Sequence, residues 1–222
     1  MKKALLLPLL LALAGMFPAA HAQAAQRASA AAGEAKVAMC IGCHGIPGYQ
    51  ASFPEIHKVP MIAGQGASVI VAALNAYKKG ERKHASMRAV AGSLSEQDMA
   101  DVAAFYEKQG QPAVAVVLPA QPPAAPAAVA ALLTKGACAS CHGANFSKPI
   151  DGSFPKLAGQ HADYLYVALK AYKTEGNAHV GRANPIMVGQ VKPFSNAELR
   201  AMADYIGALP GDLRTVSQNK FR

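Results

Sequence analysis

The pattern Cys-x-x-Cys-His occurs twice in this chain, as CIGCH at residues 40–44 and as CASCH at residues 138–142. Cysteines one helical turn apart can bond covalently to the two vinyl groups of a single porphyrin, and the histidine beside them can coordinate its iron. Each copy therefore predicts an attachment site for one haem c, and the chain is expected to bind two. The predicted attachment residues, which are all the cysteines of the chain, are Cys40, Cys43, Cys138 and Cys141.

Three other uses of four cysteines remain open as alternatives. They are two disulfides, a redox-active cysteine pair and a zinc site. None of these requires a histidine directly after the second cysteine in both copies. A four-cysteine zinc ribbon normally has about 15–20 residues between its pairs, whereas 94 residues separate Cys43 from Cys138. The repeated histidine thus favours haem attachment.

The first 22 residues have the pattern of a secretory signal peptide. Two lysines precede an apolar stretch at residues 4–20, and the small-x-small sequence AHA ends at residue 22. Pro8 and Pro18 interrupt a span that is already slightly short for crossing a bilayer, which disfavours an uncleaved anchor. We expect cleavage before Gln23, a periplasmic mature protein and no stable membrane insertion after cleavage.

The formal net charge of +9 includes a basic cluster in the first half of the chain. This cluster is either a docking patch for an acidic redox protein or an ordinary solvated face, and the sequence does not decide between them. No recognition motif accompanies the charge, so nucleic acid is not an expected partner. The cluster consists of Lys78, Lys79, Arg82, Lys83 and Arg88.

The chain contains an internal duplication. Residues 60–78 and 155–173 are identical at 10 of 19 aligned positions. Residues 111–128 are rich in proline and alanine and contain no charged residue, which predicts an extended, semi-rigid connector. We therefore expect a first domain at residues 23–110 and a second at residues 129–222.

Both copies show the same helical signals. One helix in each has apolar residues at i, i+4 and i+7, and Gly80 and Gly176 are expected to end these two helices. Ser-x-x-Asp/Glu patterns at residues 95–98 and 195–198 predict the start of a later helix. No stretch of useful length alternates apolar and polar residues as a β-strand would, so the expected fold class is all-α. The apolar faces consist of Ile70, Leu74 and Tyr77, and of Leu165, Leu169 and Tyr172.

The second axial ligand of each iron can be sought by comparing the copies. His44 and His142 are the first ligands. Met87 lies 8 residues before Ser95, and Met187 lies 8 residues before the equivalent serine. The other methionines of the predicted mature chain (Met39, Met61, Met99 and Met202) and the remaining histidines beyond the signal segment (His57, His84, His161 and His179) have no such counterparts. His/Met ligation is favoured at both sites, with bis-histidine ligation as the alternative.

With these features the chain resembles the dihaem cytochrome c4 family, whose members consist of two class I cytochrome c domains. The resemblance rests on the two pentads, the sequence PKLAGQ at residues 155–160, the methionine segments and the Leu-Ser or Phe-Ser start of the last helix. It implies two tandem all-α domains. It also implies that the backbone carbonyls of Pro60 and Pro155 accept hydrogen bonds from the non-ligating nitrogens of His44 and His142.

The resemblance also implies a function. The expected protein is an electron carrier between a quinol-oxidising complex and a terminal oxidase or another acceptor. The alternative is the dihaem electron-accepting subunit of a periplasmic dehydrogenase, such as a sulfide-oxidising flavocytochrome c. An enzyme such as a dihaem peroxidase is disfavoured, because paired methionine ligands would leave no open iron position.

Overall fold

The computed structural model describes residues 27–109 and 117–217. The predicted signal peptide and residues 111–116 of the predicted connector lie outside the described residues. Within the described ranges the chain forms ten helices. They are α1 (Ala30–Glu34), α2 (Ala38–His44), α3 (Ala67–Lys79), α4 (Ala85–Gly92), α5 (Glu96–Gln109), α6 (Ala127–Lys135), α7 (Ala139–His142), α8 (Ala162–Lys173), α9 (Pro185–Val191) and α10 (Asn196–Ala208).

The ten helices form two similar sets of five, which confirms the prediction of two tandem all-α domains. In the first set α1 packs on α5, and α3 packs on both α4 and α5; in the second, α6 packs on α10, and α8 packs on both α9 and α10. The β structure of the described residues is limited to short pairs and one isolated bridge. The strands are β1 (Gln50–Ala51), β2 (His57–Lys58), β3 (Arg82–Lys83) and β4 (Gly181–Arg182).

The hydrophobic cores contain the predicted apolar faces. Ile70 and Leu74 are buried on α3, with Met99 of α5 in the same cluster. In the second half Leu165 and Tyr172 are buried on α8. An α-helix has 3.6 residues per turn, so residues at i, i+4 and i+7 lie on the same face. In α3 and α8 this face points into the core.

The predicted ends of the two long helices differ in outcome. Gly80 has the left-handed φ of 79° and ends α3 as predicted. The prediction that Gly176 ends α8 is wrong, because α8 already ends at Lys173. Thr174 takes an extended conformation there, which ends the helix before the glycine, and its hydroxyl donates to the Lys170 carbonyl at 3.2 Å, one of the last carbonyls of the helix.

The predicted helix starts are confirmed in both halves. The amide of Asp98 donates to the Ser95 hydroxyl at 3.1 Å, and the Ser95 amide donates to the Asp98 carboxylate at 3.0 Å. Ser195 and Glu198 form the same reciprocal pair before α10. These bonds satisfy amide donors that the first helical turn leaves without a partner.

The basic cluster is largely engaged within the molecule. The Lys78 ammonium donates to the Leu94 carbonyl at 2.7 Å, and the Lys83 ammonium donates to the Asn177 carbonyl in the second half. Arg82 lies over the ring of Tyr77. Three of the five basic side chains therefore stabilise the fold, which weakens the interpretation as a docking patch.

The described part of the connector lies on the second half. The carbonyl of Pro119 accepts a bond from the Asn145 amide at 3.0 Å, and that of Pro123 accepts one from the Tyr205 hydroxyl at 2.7 Å. Helix α6 begins at residue 127, within the predicted connector; the domain limits 23–110 and 129–222 stay predictions. Across residues 27–109 and 117–217, no helix combines the length and apolarity needed to cross a membrane.

The close crossing of α1 and α5 gives a test of the packing. A Cβ atom on Gly33 would lie 2.1 Å from the Asp101 backbone oxygen, whereas one on exposed Gly92 would meet no atom within 4 Å. We expect Gly33→Ala to lower the free energy of unfolding by about 1–3 kcal/mol, because the helices must separate to admit the methyl group. Gly92→Ala is the matched control, and thermal unfolding of both variants measures the difference. Equal unfolding free energies for the two variants would contradict the close packing of α1 on α5 at Gly33.

Asp101 connects three segments of the first half. Its carboxylate accepts bonds from the Ser29 amide at 2.7 Å, the Lys36 ammonium at 2.8 Å and the Gln97 amide at 3.0 Å. The hydrogen bond from Lys36 holds the pKa of Asp101 below its ordinary value. The charged form is therefore favoured in the folded state, and its contribution to stability is present above the unfolded pKa of about 3.9 and lost as pH falls through the folded value.

We expect Asp101→Asn to lower the free energy of unfolding at pH 7 by about 1–3 kcal/mol, since charge-assisted bonds are weakened or lost. The difference from the wild type should shrink as pH falls, because the wild type loses the same contribution on protonation. Denaturant unfolding at neutral and acid pH measures this. Asp204→Asn, which removes an exposed charge from α10, is the control. If the difference in unfolding free energy between Asp101→Asn and the wild type does not change with pH, the charge of Asp101 does not stabilise the fold.

Candidate haem sites

The two pentads lie on short helices in equivalent places. Helix α2 contains Cys40 and Cys43, while Cys138 is the N-cap of α7, which contains Cys141. All four cysteines are free thiols in the structure. Burial raises the pKa of the Cys40 thiol to about 11 and also raises that of Cys138. Each half thus presents two thiols within one helical turn.

The histidine of each pentad is oriented by a backbone carbonyl. Nδ1 of His44 lies 2.9 Å from the Pro60 oxygen, and Nδ1 of His142 lies 2.9 Å from the Pro155 oxygen, which confirms the expectation drawn from the family resemblance. A carbonyl only accepts, so Nδ1 must carry the proton. Burial lowers the pKa of both imidazoles and favours their neutral form. The lone pair is therefore on Nε2, which is free to bind a metal.

Met87 and Met187 occupy the same position in equivalent helices. Each is the third residue of its helix, α4 or α9, and its amide donates to the side chain of the N-cap residue. The acceptors are His84 Nδ1 at 3.4 Å and Asn184 Oδ1 at 3.0 Å. The sequence comparison placed Met87 and Met187 at equivalent positions, and the two residues also have equivalent positions on their helices.

Both methionines lie beside a hydrophobic core. Met87 and Cys40 are partly buried against the same cluster in the first half. In the second half Met187 and Cys138 lie against two adjoining clusters, which share partly buried Leu133. The thioether and the attachment segment of each half therefore border shared apolar surroundings, as a haem with an apolar porphyrin face requires.

The methionines and histidines without counterparts have other environments. Met99 and Met202 are core residues, and the side chain of Met39 is 50% exposed. His84 and His161 are the N-caps of α4 and α8. These positions agree with core and surface roles and, for His84, with a capping role.

The donor set of each half fits one haem c. Two thiols are available for thioether bonds, one imidazole nitrogen is free for the iron, and one thioether sulfur lies on α4 or α9. Imidazole and thioether are axial ligands of iron in cytochromes c.

The two halves share an interface that contains paired backbone and charged side chains. Strand β3 of the first half pairs antiparallel with β4 of the second, with Arg82 opposite Arg182. Glu55 and Lys170 form an ion pair at 2.9 Å across this interface, and the Asp163 carboxylate accepts a bond from the Lys58 amide at 3.0 Å. The halves are thus held in one defined arrangement.

Two buried glutamines at this interface were not predicted as functional residues. The side chain of Gln160 bonds both the amide and the carbonyl of Met61, at 3.0 and 2.8 Å. The side chain of Gln65 bonds the amide and the carbonyl of Lys156, at 3.0 and 3.1 Å. The available sequence signal was the Ala-Gly-Gln triplet that recurs in both copies, but the repeat does not reveal which groups the glutamines contact.

Comparison with known proteins agrees with this geometry. The family model described as Cytochrome c matches residues 30–109 and again residues 126–210. The chain is 32% identical over 212 residues to cytochrome c4 of Pseudomonas aeruginosa, covering 92% of this chain and 98% of that protein. It is 30% identical to the thiosulfate dehydrogenase electron acceptor of Stutzerimonas stutzeri, covering 75% and 76% of the two chains.

A solved structure extends the comparison to the fold. The crystal structure of reduced recombinant cytochrome c4 from Pseudomonas stutzeri superposes with a TM-score of 0.58 at 29% identity. The match covers 82% of this chain and all of that chain. The match therefore extends over both halves, and the two ranges that the family model matches contain both pentads.

Proposed function

Because this chain belongs to the cytochrome c family, and within it to the dihaem cytochromes c4, we propose that it carries electrons in the periplasm between a quinol-oxidising complex and a terminal oxidase or another acceptor. The observation that carries the proposal is the repetition of one site. Each half presents a carbonyl-oriented histidine and a methionine at equivalent positions.

The proposed iron ligands are His44 and Met87 in the first half, and His142 and Met187 in the second. The bound haem c supplies a one-electron couple at its iron. The histidines would bind through Nε2, because Nδ1 is committed to a proline carbonyl. A thioether ligand favours ferrous iron and raises the reduction potential, which suits a carrier. With a histidine and a methionine as ligands, neither iron would have an open position for a substrate.

The interface supports a carrier in which the two sites act together. Backbone pairing, ion pairs and two glutamine bridges join the halves. A fixed separation between two redox centres keeps the rate of electron exchange between them constant. The proposed periplasmic location rests on the signal-peptide pattern and on covalent haem attachment at free thiols.

A second candidate function is an electron-accepting partner of a periplasmic dehydrogenase. It is favoured by the similarity to the thiosulfate dehydrogenase electron acceptor of Stutzerimonas stutzeri, which covers three quarters of this chain. The sequence features described above are the same for both functions, since both need two closed haem sites. The difference lies in the protein that reduces the chain.

The electron donor can be tested with the purified dihaem protein. We expect membranes that contain a quinol-oxidising complex to reduce it when supplied with a quinol, and membranes that contain a terminal oxidase to reoxidise it. We also expect the native protein to elute alone. Stable co-elution with a dehydrogenase, together with reduction by that enzyme's substrate and not by quinol, would instead support the second candidate.

The proposed methionine ligands can be tested by substitution. We expect Met87→Ala and Met187→Ala each to remove roughly half of the absorbance of the methionine-to-ferric-haem charge-transfer band, because one of two sites loses its thioether. The reduction potential of the affected haem should fall. Met39→Ala, which changes an exposed methionine, is the control and should leave both sites unchanged. An unaltered spectrum in either ligand variant would show that the assignment at that site is wrong.

A further inference from the structure

The two interface glutamines contact the peptide groups that orient the axial histidines. Pro60 C=O and Met61 N–H belong to one peptide group. Its oxygen faces His44 Nδ1 at 2.9 Å, and its N–H donates to Gln160 Oε1 at 3.0 Å. A continuous hydrogen-bonded path therefore runs from the histidine of the first half to a glutamine of the second.

The same path occurs in the opposite direction. Pro155 C=O accepts from His142 Nδ1 at 2.9 Å, and the N–H of the same peptide group, at Lys156, donates to Gln65 Oε1 at 3.0 Å. Each half thus supplies the glutamine that completes the histidine path of the other half. The arrangement is reciprocal, because both glutamines come from equivalent positions of the duplicated sequence.

Both glutamine side chains are held firmly in place. They are buried, with 8% of Gln65 and 4% of Gln160 exposed. Each Oε1 also accepts the amide of the next residue, Gly66 at 3.1 Å or His161 at 3.0 Å. Each Nε2 donates to the carbonyl across the interface. The amides therefore have a single orientation in which oxygen faces the peptide N–H.

Hydrogen bonds in series strengthen one another. A bond accepted from the N–H of a peptide group polarises that group and makes its carbonyl a stronger acceptor. A stronger acceptor at Nδ1 makes a metal-binding imidazole more basic and a better electron donor to the metal. This favours ferric over ferrous iron and lowers the reduction potential.

We propose that Gln65 and Gln160 are positioning residues that tune the iron site of the opposite half, Gln65 through Pro155 and His142, and Gln160 through Pro60 and His44. The inference rests on the proposed ligation of iron by the two histidines. Its consequence is that the potential of each haem depends on contact between the halves. A partner that loosens the interface would change both potentials.

The test uses Gln160→Met and Gln65→Met in the full dihaem protein. Methionine keeps the length of the side chain but lacks the amide acceptor. We expect Gln160→Met to raise the potential of the first-half haem and leave the other unchanged, and Gln65→Met to do the reverse. A redox titration followed by NMR, with haem methyl signals assigned to each half, separates the two potentials.

A second readout reports the histidines directly. In the reduced protein with labelled histidine, the Nδ1 proton resonance of His44 should move upfield in Gln160→Met, while that of His142 stays in place. The crossed pattern is the signature of the proposed path. General opening of the interface would increase solvent exposure at both haems and shift both potentials downward, because water stabilises the more highly charged ferric state.

The matched control is Glu55→Gln, which breaks the ion pair with Lys170 at the same interface but contacts neither proline. We expect it to change neither potential. Equal shifts at both haems, or no shift in either glutamine variant, would overturn the inference. The proposed function fails separately, if the wild-type protein lacks two low-spin haems with His/Met ligation.

Discussion

The hydrogen bond from the histidine of each pentad to a proline carbonyl is the contact on which both halves depend. It has the same length, 2.9 Å, in the two halves. It fixes the tautomer of the ring and ties the helix that holds the cysteines to the segment that leads into α3 or α8. The same segment forms the interface through Gln65 and Gln160. Cofactor attachment, core and interface therefore meet at one peptide group in each half.

The duplicated halves keep this arrangement while other contacts differ. Asp101 holds the terminal helix of the first half, whereas alanine occupies the equivalent position 201. The second half is instead stabilised by the connector, whose carbonyls accept hydrogen bonds from Asn145 and Tyr205. The arrangement of the histidine and the methionine is repeated in the two halves, whereas the contacts that stabilise the outer helices differ.

Local patterns allowed much of the fold to be predicted, and comparison of the two copies gave the candidate methionine ligands. Helical periodicity and Ser-x-x-Asp/Glu caps depend on nearby residues, so they can be recognised in a single sequence. Gly176 was assigned wrongly because Thr174 ends the helix first. The glutamine bridges and the engagement of Lys83 could not be foreseen, because their partners lie about 90 residues or more away in the chain. Such contacts depend on how the halves pack.

The central claim is that the chain forms two equivalent, closed one-electron sites. A redox titration of the purified protein combined with haem quantification tests it most directly. The account predicts two covalent haems per polypeptide, two one-electron transitions and low-spin spectra in both oxidation states. One haem per chain, or a reduced site that binds carbon monoxide tightly at one full haem equivalent, would contradict it.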